Sequence, residues 1–320
     1  MFLFLMMYII SFHMVMNGDD WFMIWMGLEV NMVMFIMIMY KRYSMYNIES
    51  CLKYFFIQSL GSALFMSMFY FMKSNLDLVL CLVLSYKIGA GPFFYWFPSV
   101  CSGISWMSCF VLMSFQKIIP LMLMSVFISW IIFLIIMINL IMGVFGSFNQ
   151  WDLKQLIAYS SIYHLGWIFL CMMLDMKLWI NYLLIYMVMI FPVMYFMKYS
   201  NVVNFYDIME MKGKKVFVVL MLSMAGMPPL LGFFLKWFVF VSIMEFSFFF
   251  MFMLVVCSVI MFYIYFRVLY DILLGSCVLG NWNNWVFYNN DSNSNKGVWM
   301  SCMSGIGYML GLIFSLWLLF

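Results

Sequence analysis

The sequence predicts an all-α, polytopic membrane protein of about eleven transmembrane helices, two of them broken. Three observations predict it. The 320 residues are 68% hydrophobic and 8% charged, against about 25% charged for a soluble domain. The apolar residues gather into runs near the roughly 20 residues that a span needs. The basic residues fall almost entirely at the ends of those runs and favour one side. The length is used up by the spans, so no sizeable soluble domain is expected. The scattered basic residues make no patch for nucleic acid, so no nucleic-acid partner is expected.

In chain order the apolar segments run approximately over 1–17, 21–40, 53–72, 76–97, 104–119, 121–144, 153–173, 178–197, 215–243, 246–270 and 299–320. They make a single transmembrane domain, with a first repeat over about 1–144, a second over about 153–270 and a C-terminal helix over about 299–320. Pro120 separates the fifth segment from the sixth. The stretch 280–297, rich in asparagine, reads as an extramembrane loop.

Alternate loops lie on opposite sides, and the basic residues test the count. One side receives Lys41, Arg42, Lys53, Lys154, Lys198, Lys212, Lys214, Lys215, Arg267 and Lys296, and the other Lys73 and Lys177. That split of ten to two leaves three inside spans and accounts for all 15 Lys and Arg. The N-terminus is therefore expected on the basic side, the matrix, and the C-terminus on the intermembrane side. Asp19 and Asp20 fall on the intermembrane side. The first residues form neither an Arg-rich transit peptide nor a cleavable signal. The 40 methionines point to an organelle genetic code that reads an extra codon as Met.

The eight cysteines include no C-x-x-C pair. Cys51, Cys81, Cys109, Cys171 and Cys257 sit in or beside apolar runs. They read as small apolar side chains, and metal or iron–sulfur ligation is not expected.

Four ionisable residues lie inside spans: Glu29, Lys87, Lys117 and Lys236. A charge at the bilayer centre costs about 2.5–3.5 kcal/mol on insertion scales, so these groups need water, partners or each other. Several readings are open. Glu29 and Lys87 form either a structural pair between helices or a working one. Lys117, near Pro120, either snorkels to the headgroups or titrates within the span. The same choice stands for Lys236. Burial favours the neutral amine of a lysine and a nearby carboxylate favours the ammonium. Lysines with a movable carboxylate partner, linked by water and hydroxyls, therefore make a proton relay. Arginine could not serve, because it stays protonated.

Two clusters of helix breakers accompany the lysines. Gly89-Ala90-Gly91-Pro92 follows Lys87 and is expected to break the fourth segment. Gly226-Met227-Pro228-Pro229 precedes Lys236 and is expected to break the ninth. Irregular backbone at that depth lines a cavity or is buried in protein, and paired breaks mark inverted-repeat transporters. A hydrated second break is expected roughly 10 Å from the Lys236 backbone, at 1.5 Å per residue. His164, inside the seventh segment, reads either as a relay group or as a polar contact between helices. His13 reads as structural.

Several stretches carry a resemblance. They are Trp25-Met26-Gly27-Leu28-Glu29-Val30-Asn31; Lys87-Ile88-Gly89-Ala90-Gly91-Pro92-Phe93 with Trp96 and Pro98; Gln116-Lys117-Ile118; the run 158–167; and Met227-Pro228-Pro229-Leu230-Leu231-Gly232-Phe233 with Lys236-Trp237. In this order they resemble the mitochondrial NADH dehydrogenase subunit 2 family, over about residues 20–240. The resemblance implies an antiporter-like subunit of the membrane arm of respiratory complex I, with inverted five-helix repeats and a central polar axis. It implies a proton relay with Glu29 and Lys87 as the acid and base of its ion pair, Lys117 as the central lysine and Lys236 as the terminal one. Larger relatives carry three further N-terminal helices, which this reading expects to be absent. Related subunits often carry charged or His residues in the eighth segment; here 178–197 offers Tyr182, Tyr186 and Tyr195. His164 is then the best bridge from Lys117 to Lys236.

The function so implied is proton translocation in the mitochondrial inner membrane, as a subunit of a proton-translocating NADH:ubiquinone reductase. The chain shows no dinucleotide fingerprint and no cysteine cluster, so no redox centre is expected in it. NAD, FMN, iron–sulfur clusters and ubiquinone are expected in the rest of the complex. The partners implied are other membrane-arm subunits, the lipid bilayer and protons. Two alternatives stand beside this reading: a subunit of a multi-component cation/proton antiporter, and a non-pumping membrane scaffold.

Overall fold

Backbone groups inside a bilayer have no water to pair with, so long apolar segments satisfy them within helices. The computed structural model describes residues 2–18, 20–42, 44–71, 76–200, 214–228, 230–243 and 248–278, and its ordered elements are helices. They are α1 (Phe2–Met16), α2 (Trp21–Met39), α3 (Met45–Phe71), α4 (Leu76–Ile88), α5 (Trp96–Gly103), α6 (Trp106–Met113), α7 (Phe115–Val126), α8 (Ile131–Ser147), α9 (Leu153–Leu174), α10 (Met176–Ser200), α11 (Lys214–Ala225), α12 (Leu231–Ile243) and α13 (Phe248–Val278). Among the described residues, five stretches are long and apolar enough to cross a membrane: Trp21–Met39, Trp106–Val126, Leu153–Leu174, Met176–Ser200 and Phe248–Tyr270. The expected loop 280–297 and segment 299–320 lie outside the described residues, as do Asp19, Lys73, Lys212 and Lys296.

Both expected breaks are present. α4 ends at Ile88, and the chain leaves the helix through Gly89 at φ +75°. α11 ends at Ala225, and the chain leaves through Gly226 at φ +87°. A side chain at either position would be strained, because left-handed backbone is costly for every residue with a Cβ.

Pro120 corrects the sequence reading. It does not divide two segments: α7 runs straight through it, and Trp106–Val126 forms one span. Proline removes a single N–H and presses its ring on the carbonyl four residues earlier, here that of Gln116. The helix yields beside that point instead, at Ser114, whose φ of −115° and ψ of −81° lie off the helical values. The boundary between spans falls at 127–130. Likewise the second half of the fourth segment does not stop at residue 97 but continues as α5 to Gly103.

The chain forms two compact units, residues 1–150 with 154–176, and residues 151–153 with 177–320. In the first, α1 packs on α2, α2 on α3, α3 on α4 and α5, and α4 on α7 and α8. α8 and α9 meet backbone to backbone at Gly143, where an added Cβ would lie 2.7 Å from the Tyr163 nitrogen and 2.8 Å from its Cα. Small residues permit such approach where no hydrophobic force drives helices together. In the second unit α11 packs on α12 and α13. Gly232 of α12 sits against the Ser223 carbonyl, which folds α12 back along α11.

Candidate functional site

The first break is held by protein groups. Loss of helix after Ile88 strips the last carbonyls of α4 of their helical donors. Ser85 O accepts from Ala90 N at 2.9 Å, and Tyr86 O accepts from Gly89 N and from Trp96 Nε1, each at 3.2 Å. Lys87 O accepts from Gln58 Nε2 of α3 at 2.8 Å. The Asn139 side chain of α8 accepts from Gly91 N at 2.6 Å and anchors the break from the other side. The backbone is thus fixed on both flanks of Lys87.

One face of α3 carries the lysine. Gln58, Gly61 and Ser62 are spaced i, i+3 and i+4, so they share a helix face. The Lys87 stem crosses Gly61, where an added Cβ would lie 2.8 Å from its Cγ and 3.1 Å from its Cε. Ser62 donates to the Glu29 carboxylate of α2. Glu29 and Lys87 make no contact ion pair. A contact ion pair does join Lys53 to Glu49, at 2.6 Å on the α3 surface. The expected pair is therefore held open here, with Ser62 as the partner of the carboxylate. A hydroxyl proton serves one acceptor at a time, and Ser62 also lies 2.9 Å from Ser59 O.

Lys117 does not snorkel. It is 3% exposed, and its ammonium donates to Ser161 of α9, at 3.1 Å to Oγ and 3.4 Å to the carbonyl. The ammonium also lies 4.8 Å from the centroid of the Phe97 ring, a cation–π distance. His164 follows Ser161 by three residues on α9, is 1% exposed, and packs edge-on to Tyr163.

Lys87 and Lys117 line one cavity, with Asn31, Gln58, Gln116 and Pro120 among its other walls. The volume open to the centre of a water molecule is about 20 Å³. Sequence reasoning named the lysines but not Gln58, Ser62 or Ser161, nor the part of Asn31 and Gln116. The signal was available for α3, where three polar or small residues recur at helical spacing within an apolar run.

In the second unit Lys236 is 7% exposed, and its ammonium donates to Ala225 O at 2.9 Å. The side chain thus reaches back to the break that its backbone was expected to lie two turns from, and the lysine itself caps the broken helix. A cation at a helix C-terminus is favourable on both hydrogen-bond and dipole grounds. Gly226 leaves room for it: a Cβ there would lie 3.0 Å from the Lys236 Nζ.

A family model described as NADH:quinone oxidoreductase/Mrp antiporter, transmembrane, matches residues 71–261. The chain is also 34% identical over 318 residues to NADH-ubiquinone oxidoreductase chain 2 of Anopheles gambiae, covering 92% of each chain. The chain belongs to this family of antiporter-like membrane subunits. The homonymous chain of Locusta migratoria is 34% identical, over 89% of this chain and 87% of that one. The fold agrees with solved structures. Respiratory complex I from Thermus thermophilus superposes with a TM-score of 0.80 at 19% identity, covering 98% of this chain and 78% of that one. The Mrp complex from Dietzia superposes with a TM-score of 0.77 at 14% identity, covering 98% of this chain and 75% of that one. The region matched by the antiporter family model contains Lys87, Lys117, His164 and Lys236.

Proposed function

We propose that this chain is a proton-translocating core membrane subunit of respiratory complex I in the mitochondrial inner membrane. Its N-terminus faces the matrix and its C-terminus the intermembrane space. NADH oxidation and ubiquinone reduction, with NAD, FMN and iron–sulfur clusters, belong to partner subunits. This chain moves protons as those reactions proceed. The names of the relatives supply the complex, and the buried lysines supply the chemistry. The observation that carries the reading is the cavity shared by Lys87 and Lys117. Charge on one of two lysines that line the same cavity disfavours charge on the other, so a proton held on either can be passed on.

In this reading the proton is loaded beside Glu29 and held on Lys87 while the carboxylate rests on Ser62. It passes to Lys117, whose ammonium is received by Ser161, and His164 on the same helix takes part beyond it. Lys236 serves the second repeat. The repeats span about 1–144 and 153–270. Release from Lys236 leaves a neutral amine that can still donate to the Ala225 carbonyl but no longer offers a cation to the end of α11, so the hold on the break weakens with the charge.

Lys117→Met tests the reading in the assembled complex. It keeps length and apolar volume and removes the titrating group. NADH oxidation and membrane-potential generation are measured together. Loss of pumping with normal assembly supports the relay; native pumping makes Lys117 a structural residue and ends this account.

A further inference from the structure

α5 stops at Gly103, and the chain turns through extended backbone at Ile104 before α6 begins at Trp106. The last carbonyls of α5 therefore have no further turn of helix to donate to them. Side chains supply the donors instead. Cys101 O accepts from Cys109 Sγ at 3.3 Å, and Gly103 O accepts from Asn47 Nδ2 of α3, also at 3.3 Å. Ser102 O and Ile104 O both accept from the Lys154 ammonium of α9, at 3.4 and 2.7 Å. The same ammonium lies 5.4 Å from the centroid of the Trp106 ring, so it grips the turn on the α6 side as well.

The place of Lys154 is unfavourable for its own helix. It is the second residue of α9, where the positive end of the helix dipole opposes a cation. The carbonyl end of α5 is where such a charge is favoured. Ser161, which receives the Lys117 ammonium, lies seven residues further along α9 and on the same face. Phe97, whose ring lies 4.8 Å from that ammonium, precedes Ser102 by five residues on α5. At 1.5 Å per residue these offsets are about 10 Å along α9 and about 7.5 Å along α5. Lys154 thus closes a frame in which α5 and α9 hold Lys117 between them, one to two turns away.

We propose that Lys154 is a positioning residue for Lys117: it ties the end of α5 to the start of α9, and so keeps the Phe97 ring and the Ser161 hydroxyl on one ammonium. The inference rests on the relay reading above. Lys154 itself passes no proton, because the carbonyls it bonds accept hydrogen bonds without taking up a proton. Without the tie, α5 is free to shift against α9, and the ring and the hydroxyl no longer meet at one point. The position asks for a cation with several donors that can also lie on an aromatic face. Arginine supplies all three, although it does not release a proton.

Variants of the full chain test this, with the rate of proton pumping read in the assembled fraction of the complex. Lys154→Met removes the donors and keeps the stem. Pumping should slow about fivefold or more, the loss expected when one desolvated cation–π contact is gone. Lys154→Arg should restore most of it. An arginine variant as damaged as the methionine one means that the group at 154 must itself release a proton, and that result overturns the proposal, as does native pumping by Lys154→Met. Phe97→Leu should slow pumping to a similar extent. The double variant should be no slower than the slower single, because both changes remove the same contact. Losses that multiply place the effect of Lys154 elsewhere and overturn the proposal too. Should Lys154→Met not assemble, Phe97→Leu decides beside Lys154→Arg. Slowed pumping in the first with near-native pumping in the second supports the proposal, and native pumping in the first refutes it. Lys117→Met measured alongside separates the two levels. Native pumping there removes the relay itself, whereas lost pumping there beside native pumping by Lys154→Met removes only the positioning role.

Discussion

Gly61 separates an effect on Lys87 from an effect on folding. In Gly61→Ala the new Cβ would lie 2.8 Å from the Lys87 Cγ and 3.1 Å from its Cε, with Tyr86 Cδ1 at 3.3 Å. Ordinary contact begins near 3.4 Å, so the stem must move by about 0.6 Å at Cγ. The neighbour is a side chain rather than backbone, so α3 and α4 need not separate. Overpacking of this kind costs about 1–3 kcal/mol, but here the lysine can yield and the cost falls toward the lower end. Gly143→Ala is the matched control. Its Cβ would lie 2.7 and 2.8 Å from the main chain of Tyr163, and backbone cannot yield without parting α8 from α9. The assay is native electrophoresis of the complex for assembly, followed by NADH oxidation and membrane potential in the assembled fraction. Gly61→Ala is expected to assemble and to move fewer protons per NADH, and Gly143→Ala to assemble poorly. Gly61→Ala with native proton yield would show that the placement of Lys87 on α3 has no part in translocation.

Lys236→Arg and Lys236→Met are both expected to abolish pumping, since arginine keeps the charge but does not release the proton. Only the methionine variant leaves the Ala225 carbonyl unpaired, at a cost of about 1–3 kcal/mol, so its thermal stability in detergent should be the lower of the two; an arginine variant that pumps normally would make Lys236 a fixed charge. Asn139→Leu removes the acceptor of the Gly91 N–H at a fully buried site. An orphaned buried donor costs about 1–3 kcal/mol, so the melting temperature of the complex should drop; an unchanged melting curve would mean that the break does not depend on α8.

The helical class was written in composition and run length, because a bilayer admits few alternatives for an apolar backbone. The two breaks were legible for a local reason. Gly89 and Gly226 both take positive φ, and glycine and proline act on their own few residues wherever they stand. The four ionisable residues within apolar segments were legible as misfits against their background, and no neighbour was needed to see them. Pro120 shows where local reasoning stopped: whether a proline ends a helix or only distorts it depends on what packs around it. What each charge touches was decided in space alone. Ser62 reaches Glu29 across 33 residues, Ser161 meets Lys117 across 44, and Gln116 bonds Asn31 across 85. Nothing in the local pattern of a serine or an amide tells which distant helix it will face. The Lys236 backbone was expected two turns from its break; that the side chain reaches back to the Ala225 carbonyl was decided by packing, with Gly232 of α12 against the Ser223 carbonyl. The identity of the ionisable groups was thus a property of the sequence. Their partners, their shared cavity and the open state of the Glu29–Lys87 pair were properties of helix packing, which sums many weak contacts between residues far apart in the chain.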